Sequence, residues 1–350
     1  MKKTAFLGLL LLLVSTLSAA QERSFSVGTL TAQPGEKISG FLEVPAGVDA
    51  GTRIPVTLIH GAKPGPVLAL IAGTHGYEYA PIIALQRVRG QIDPAQLSGT
   101  VILVHIANMP SFLSRTIYYS PIDGKNLNRV YPGKANGTVS ERIAYTITTE
   151  VIDRADAVVD VHCGDGNEAL RPYLYWSKTG DAKLDEASRQ MAVAFGLDHI
   201  VIITDRPADP QASVYTDNTA LTRGKPAITT ETGQIGETSE EWVRLAERGV
   251  WNLFKHFKMV AGEPERAAAV VWLDKSEVLR APETGIFYAA TKPGYTVAQG
   301  ALLGTLTDFF GNKLADVRAP FAGMVNYVIA TPPVSKGEPL AMVSRIQAAE

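Results

Sequence analysis

Apolar runs cut by glycine and proline dominate the first half of the chain. PVLALIAG (66–73) is apolar without a break, and TVILVHIAN (100–108) and AVVDVH (157–162) are mostly apolar, which predicts three buried strands. HIVII (199–203) and PAITTE (226–231) predict two more. Between them the apolar positions recur at helical spacing over 80–89, 140–154, 183–195 and 240–257. The stretch 24–60 alternates short apolar segments with Gly and Pro, which predicts strands and turns. Strands alternating with helices imply an α/β fold, a mostly parallel or mixed sheet covered by helices on both faces.

The pattern changes after about residue 259. Short strands and turns follow, with no long helical period. RAPETG (280–285) recurs as RAPFAG (318–323), and PGYTVAQG (293–300) is echoed by PPVSKG (332–337). Two similar β halves meeting at DFFGNK (308–313) predict a small all-β C-terminal domain. Its pattern resembles the biotinyl/lipoyl-type barrel-sandwich. The methionines that flank a carrier lysine are missing around Lys313, so a non-carrier domain is expected. The expected division is 1–20, 21–262 and 270–346.

Residues 1–20 are read as a cleavable signal peptide. Lys2 and Lys3 precede the apolar run 6–14, and Ser18, Ala19 and Ala20 precede Gln21. The run falls short of the roughly 20 residues a membrane span needs. A periplasmic or secreted protein, with no stable membrane insertion after cleavage, is therefore expected. The single cysteine, Cys163, excludes an intrachain disulfide. With 33 basic and 35 acidic residues the chain has no cationic excess, so nucleic acid is not an expected partner.

Candidate chemistry gathers where strands end, the edge at which open α/β sheets bind ligands. GTHGYEYAP (73–81) follows the first buried strand, and its His75 and Glu78 stand three apart, the spacing that one helical turn brings to one side. His162 ends the third strand. Two histidines and a glutamate form a three-ligand set that leaves zinc an open position, as in catalytic sites. Asp160 lies on the same strand face as His162, and either orients that imidazole or bonds backbone at the strand end. Cys163 points to the opposite face and reads as a small buried residue. Glu231 ends the strand at 226–231, where a carboxylate beside the ion's water could take its proton and pass it to a leaving amine. The loop SPIDGKNLNRVYPG (120–133) carries Asn126, Asn128 and Arg129 between turn formers; Arg129 offers a planar fork for a substrate carboxylate. Arg115 is a candidate for polarising a scissile carbonyl.

These motifs in this order resemble the succinylglutamate desuccinylase/aspartoacylase family, within the zinc carboxypeptidase-like hydrolases. The resemblance runs from GTRIPVTLIHGAKPGPVLALIAGTHGYEYAP (51–81) through PIDGKNLNRVYPG, VVDVHCG and TTETG to the β-domain. It implies one zinc ion on His75, Glu78 and His162, Asn128 and Arg129 on the substrate's carboxylate, Glu231 as general base and acid, and Arg115 on the carbonyl. It further implies hydrolysis of the amide of a small N-acyl amino acid, with the β-domain narrowing access. Well-known members are cytosolic, whereas an exported protein is expected here. Two other readings stay open at this point: a periplasmic zinc carboxypeptidase-like enzyme acting on short peptides or cell-wall stems, and a non-catalytic binding protein. The sequence is silent on oligomeric state.

Overall fold

The computed structural model describes residues 23–347. The signal peptide read at 1–20 lies outside the described residues. Among the described residues no helix is long and apolar enough to cross a membrane.

Three strands at the centre of the large sheet run parallel: Lys63–Ala72, Ala157–His162 and Ala227–Glu231. Ser98–Val104 adds in parallel to the first. Their uninterrupted apolar character follows from the two layers that cover them. Leu68, Leu70, Val159 and Val161 face one core with helices α1 (Tyr79–Gln91), α4 (Ala182–Phe195) and α6 (Glu240–His256). Ala69, Ile71 and Val158 face the other, with α3 (Val139–Ile147) and α5 (Thr216–Leu221). Each fully buried aliphatic side chain here contributes about 1.5–3 kcal/mol. The same helix–strand alternation that covers the sheet aligns the carboxyl ends of the three central strands along one edge.

Antiparallel pairs flank this centre on both sides. Thr52–His60 and Glu36–Val44 close one side. On the other, Tyr173–Ser177 runs antiparallel to Ala227–Glu231 and parallel to His199–Ile203. The sheet is therefore mixed, with a second parallel run around His199–Ile203 beyond the antiparallel junction at Tyr173–Ser177. The helix predicted over 140–154 stops at Ile147 and continues as a wider turn over Thr148–Ile152.

The strand Val271–Arg280 joins the two parts of the chain. Its first residues pair in parallel with His199–Ile203, and nearly its whole length pairs antiparallel with Pro339–Ile346. Gly323–Ile329 follows outside it and receives the short strand Glu168–Leu170 from the first half. A four-stranded antiparallel sheet (Gly285–Ala289, Leu302–Thr307, Lys313–Arg318 and Pro333–Val334) accompanies this extension. Leu303, Leu306, Val325, Val328, Leu340 and Val343 form the core of this second part. Lys313 pairs with Asp316 at 2.7 Å on the surface.

Candidate metal centre and active-site cavity

His75 and Glu78 sit in the turn between the first central strand and α1. The expected helical turn is absent: Glu78 is the residue that starts α1, at φ −84° and ψ 69°. The turn closes tightly because Gly76 lets it lie on neighbouring backbone. A Cβ there would meet the carbonyl oxygens of Thr116 and Ser111 at 2.3 and 2.5 Å.

Three donors converge. Glu78 Oε1 lies 2.7 Å from His75 Nδ1 and 3.0 Å from His162 Nδ1. These are the only three or more His, Cys, Asp or Glu side chains among the described residues whose donor atoms lie within 4.8 Å of one another. All three residues are buried. Burial alone would drive both imidazoles toward the neutral form. Asp160 and Glu78 reverse this at His162, whose pKa is raised well above the usual value, and Glu78 does so more mildly at His75. For Glu78, burial is outweighed by His162 and His75, which hold its carboxyl at about 2. The second oxygen, Oε2, is buried and has no partner.

The outer nitrogens of both imidazoles are fixed from behind. Asp160 Oδ2 lies 2.9 Å from His162 Nε2, so it orients the imidazole, the first of the two roles read from its position. Asn126 Oδ1 lies 3.1 Å from His75 Nε2 and also accepts the Asn128 backbone N–H at 2.9 Å. A backbone donor requires an oxygen there, so His75 carries a proton on Nε2, which leaves Nδ1 as the nitrogen that would face an ion. Two histidines and a carboxylate with paired outer shells, plus one buried orphan oxygen, are a donor set that fits zinc. Exchanging Asp160 for Asn should therefore weaken metal binding by about 10- to 100-fold, read by chelator competition, with the fold retained by circular dichroism.

Glu231 is the ladder partner of His162 on the neighbouring parallel strand, so the two side chains leave the same face of strands spaced about 4.8 Å apart. Burial raises the Glu231 pKa well above the carboxylate range; His162 offsets this in part, and Glu78, Glu168 and Asp160 add to it. Its Oε2 is buried without a partner. Tyr173 lies opposite Glu231 on its other side.

A cavity of about 670 Å³ opens over this edge. Its wall includes His75, Glu78, His162, Glu231, Arg129 and Tyr215 from the first part and Ser276, Val278, Arg280, Tyr327 and Met342 from the second. A more open cleft of about 840 Å³ along α6 brings no such donor set together.

Two of the expected residues stand apart from the rest. Arg115 does not line the cavity. It ends the short helix α2 (Met109–Ser114 in chain order between α1 and α3) in a left-handed conformation, φ 52°, and is exposed. Asn128 lines the cavity and is already engaged by neighbours. Its Nδ2 donates to Asp160 at 3.2 Å and its Oδ1 accepts from the Thr216 N–H and hydroxyl at 2.9 and 3.1 Å, so it braces the His162–Asp160 pair. Arg129 does face the cavity, exposed and stacked on Tyr215. Cys163 is buried and outside the donor set.

Sequence reasoning missed Tyr173, Tyr175, Arg206 and Glu168, all on the cavity wall. The alternation in YLYWS, tyrosines at 173 and 175 against Leu174 and Trp176, was the available signal for the first two. Glu168 accepts from the Tyr118 hydroxyl at 2.8 Å, and burial, with Asp165 adding, carries its pKa to about 7.

Residues 64–257 match the sequence profile described as the succinylglutamate desuccinylase/aspartoacylase catalytic domain. The chain is 29% identical over 319 residues to the N-alpha-acetyl-L-2,4-diaminobutyric acid deacetylase of Halomonas elongata, covering 88% of this chain and 91% of that one. The product-bound structure of the ectoine utilization protein EutE (DoeB) from Ruegeria pomeroyi superposes with a TM-score of 0.81 at 27% identity, over 93% of this chain and 99% of that one. A succinylglutamate desuccinylase from Silicibacter sp. TM1040 gives 0.79 at 26% identity, over 90% and 96%. The chain belongs to the succinylglutamate desuccinylase/aspartoacylase family of amide-bond hydrolases.

Proposed function

We propose that the protein deacylates a small N-acyl amino acid, giving a carboxylate and a free amine, with one zinc ion held by His75, Glu78 and His162. The convergence of those three donors beside Glu231 carries this reading. The ion supplies Lewis acidity, which acidifies water and polarises the acyl carbonyl. Glu231 takes the proton of the attacking water on its free Oε2 and gives it to the departing nitrogen. A carboxyl with a raised pKa suits the second half of that task, because it keeps the proton until the nitrogen becomes basic. Arg129 binds the α-carboxylate of the amino acid and so sets where the amide lies. Asp160, Asn126 and Asn128 keep both imidazoles in one tautomer and one orientation.

Tyr327 and Met342 close the cavity from the C-terminal part, which we take for a non-carrier barrel-sandwich. They favour small substrates over long chains. The signal-like N-terminus supports export to a periplasm or beyond.

The test is elemental analysis of the purified mature protein together with a panel of N-acyl amino acids and short peptides with free C-termini. About one zinc per chain and hydrolysis of the N-acyl amino acids is the expected result. Cleavage confined to the peptides would assign the site to a carboxypeptidase. Zinc without turnover of any amide or ester would leave a binding protein.

A further inference from the structure

A phenol and a buried acid stand on the cavity wall, outside the donor set that converges on the candidate metal centre. The Tyr118 hydroxyl and Glu168 Oε1 lie 2.8 Å apart. The Tyr118 ring is edge-on to the His75 imidazole, with centroids 6.0 Å apart and planes at 87°. The next residue, Tyr119, pairs with Asn126, the acceptor behind His75. The phenol is thus placed beside the centre by two separate contacts.

Two carboxyls hold it there against its own backbone preference. Tyr118 has a left-handed conformation, φ 57°, which residues with a side chain disfavour. Asp165 Oδ2 accepts its backbone N–H at 2.7 Å, while Glu168 engages its hydroxyl. Glu168 is fixed in turn. Its Oε2 accepts the Asp165 N–H at 3.2 Å, and its strand pairs with Gly323–Ile329. Strained backbone persists where the surroundings over-determine it, and such places cluster at active sites. The scissile carbonyl, meanwhile, lacks the donor expected of Arg115, which is exposed and off the wall. Tyr118 follows it by three residues and lines the cavity.

We propose that Tyr118 is a further catalytic residue, whose hydroxyl donates to the acyl oxygen as negative charge gathers on it, with Glu168 as the positioning residue that directs that hydroxyl. This rests on the deacylase reading. A fixed donor counts most where charge develops in a site shielded from water. A phenol has one hydrogen, so the direction of its bond to Glu168 decides whether that hydrogen is free. Protonated Glu168 donates to the phenol oxygen and leaves the hydrogen for the substrate. Ionised Glu168 accepts the hydrogen and withdraws it. Burial raises the Glu168 pKa to about 7; Asp165 adds to this, and the Tyr118 bond and His75 oppose it. The Tyr327 phenol is the other titratable group that acts on the pair.

The test uses the full chain loaded with zinc. N-acetyl-L-alanine is the substrate, and N-(methylphosphonyl)-L-alanine is a tetrahedral mimic whose charged oxygen stands for the acyl oxygen at its most negative. Tyr118→Phe keeps the ring beside His75 and removes the donor. It should lower kcat by about 10²- to 10³-fold, the loss that follows removal of one oxyanion donor. KM and zinc content should stay near wild type. Calorimetry should show the mimic bound at least about 10-fold more weakly, as for a lost hydrogen bond to a charged group, and L-alanine bound as before. Should Glu168, left without its partner, unfold this variant, the double variant Tyr118→Phe/Glu168→Gln carries the same expected losses. Between pH 6 and 8 the ratio of Glu168→Gln to wild-type kcat should rise about 10-fold, because only the carboxyl ionises and takes the hydrogen back. In the Tyr118→Phe background that ratio should stay flat, which a packing role for Glu168 would not produce. Wild-type kcat in Tyr118→Phe, an effect on KM alone, loss of zinc, mimic binding that is absent or unweakened, or a flat ratio with Tyr118 present would each overturn the proposal. Failure of the wild-type protein to hydrolyse any N-acyl amino acid, with mimic binding still dependent on Tyr118, would instead sink the deacylase reading alone.

Discussion

Glu231→Gln is expected to reduce kcat for amide hydrolysis by about 10²- to 10⁴-fold, the span that a positioned general acid–base supplies. The substitution keeps the side chain's shape and removes only its ability to take and return a proton. It touches none of the three convergent donors, so metal content measured by elemental analysis should not change. The same variant carries a stability signature. Burial raises the Glu231 pKa well above its unfolded value of about 4.5. A group raised in this way stabilises the fold fully below its unfolded pKa and loses that contribution as pH climbs through the folded one. Metal-free wild-type protein should therefore lose stability from about pH 4.5 upward, and Glu231→Gln should lose less over the same range, as thermal melts at several pH values would show. A variant with wild-type kcat would remove Glu231 from the chemistry.

Glu78→Gln is expected to have the larger effect on the metal. The carboxylate lies between two imidazoles and is held ionised at about 2, so it is the one anion in direct contact with both candidate ligand nitrogens. A neutral amide in its place offers one weak oxygen and no charge. Zinc affinity in chelator competition should fall by at least about 100-fold, beyond what loss of an outer-shell partner costs, and hydrolysis should fall with it. Excess zinc should restore part of the activity here and none in Glu231→Gln, which separates loss of the ion from loss of the proton carrier. Undiminished zinc binding in Glu78→Gln would refute the assignment of the centre.

The elements that position this chemistry were legible because both faces of the central strands are covered. AVVDVH and HIVII are strands over the residues their apolar runs mark, since every position must face a core. Tyr173–Ser177 was not legible for the complementary reason. One face of it lines a polar cavity, so tyrosines replace the aliphatic residues that mark its neighbours. His75, Glu78, His162 and Glu231 could be picked out because each lies at or just past a strand's carboxyl end, a position that a period-2 or period-3.6 pattern locates. Loop side chains have no such coordinate. Asn126 and Asn128 look equivalent in KNLNR, yet one meets His75 and the other meets Asp160 and Thr216. Arg115 has suitable chemistry for the site, but the left-handed end of α2 leaves it exposed and away from the cavity wall. Arg206 sits in DRPADPQAS, where no spacing singles it out.

The strand Val271–Arg280 belongs to the ladders of both parts of the chain, and Glu168–Leu170 crosses back to pair with Gly323–Ile329. Two seams of backbone hydrogen bonds thus hold the C-terminal part where its side chains wall the cavity. It cannot swing aside on a hinge without unzipping sheet. A change in the width of the cavity would therefore come from rotation of side chains on its wall rather than from domain opening.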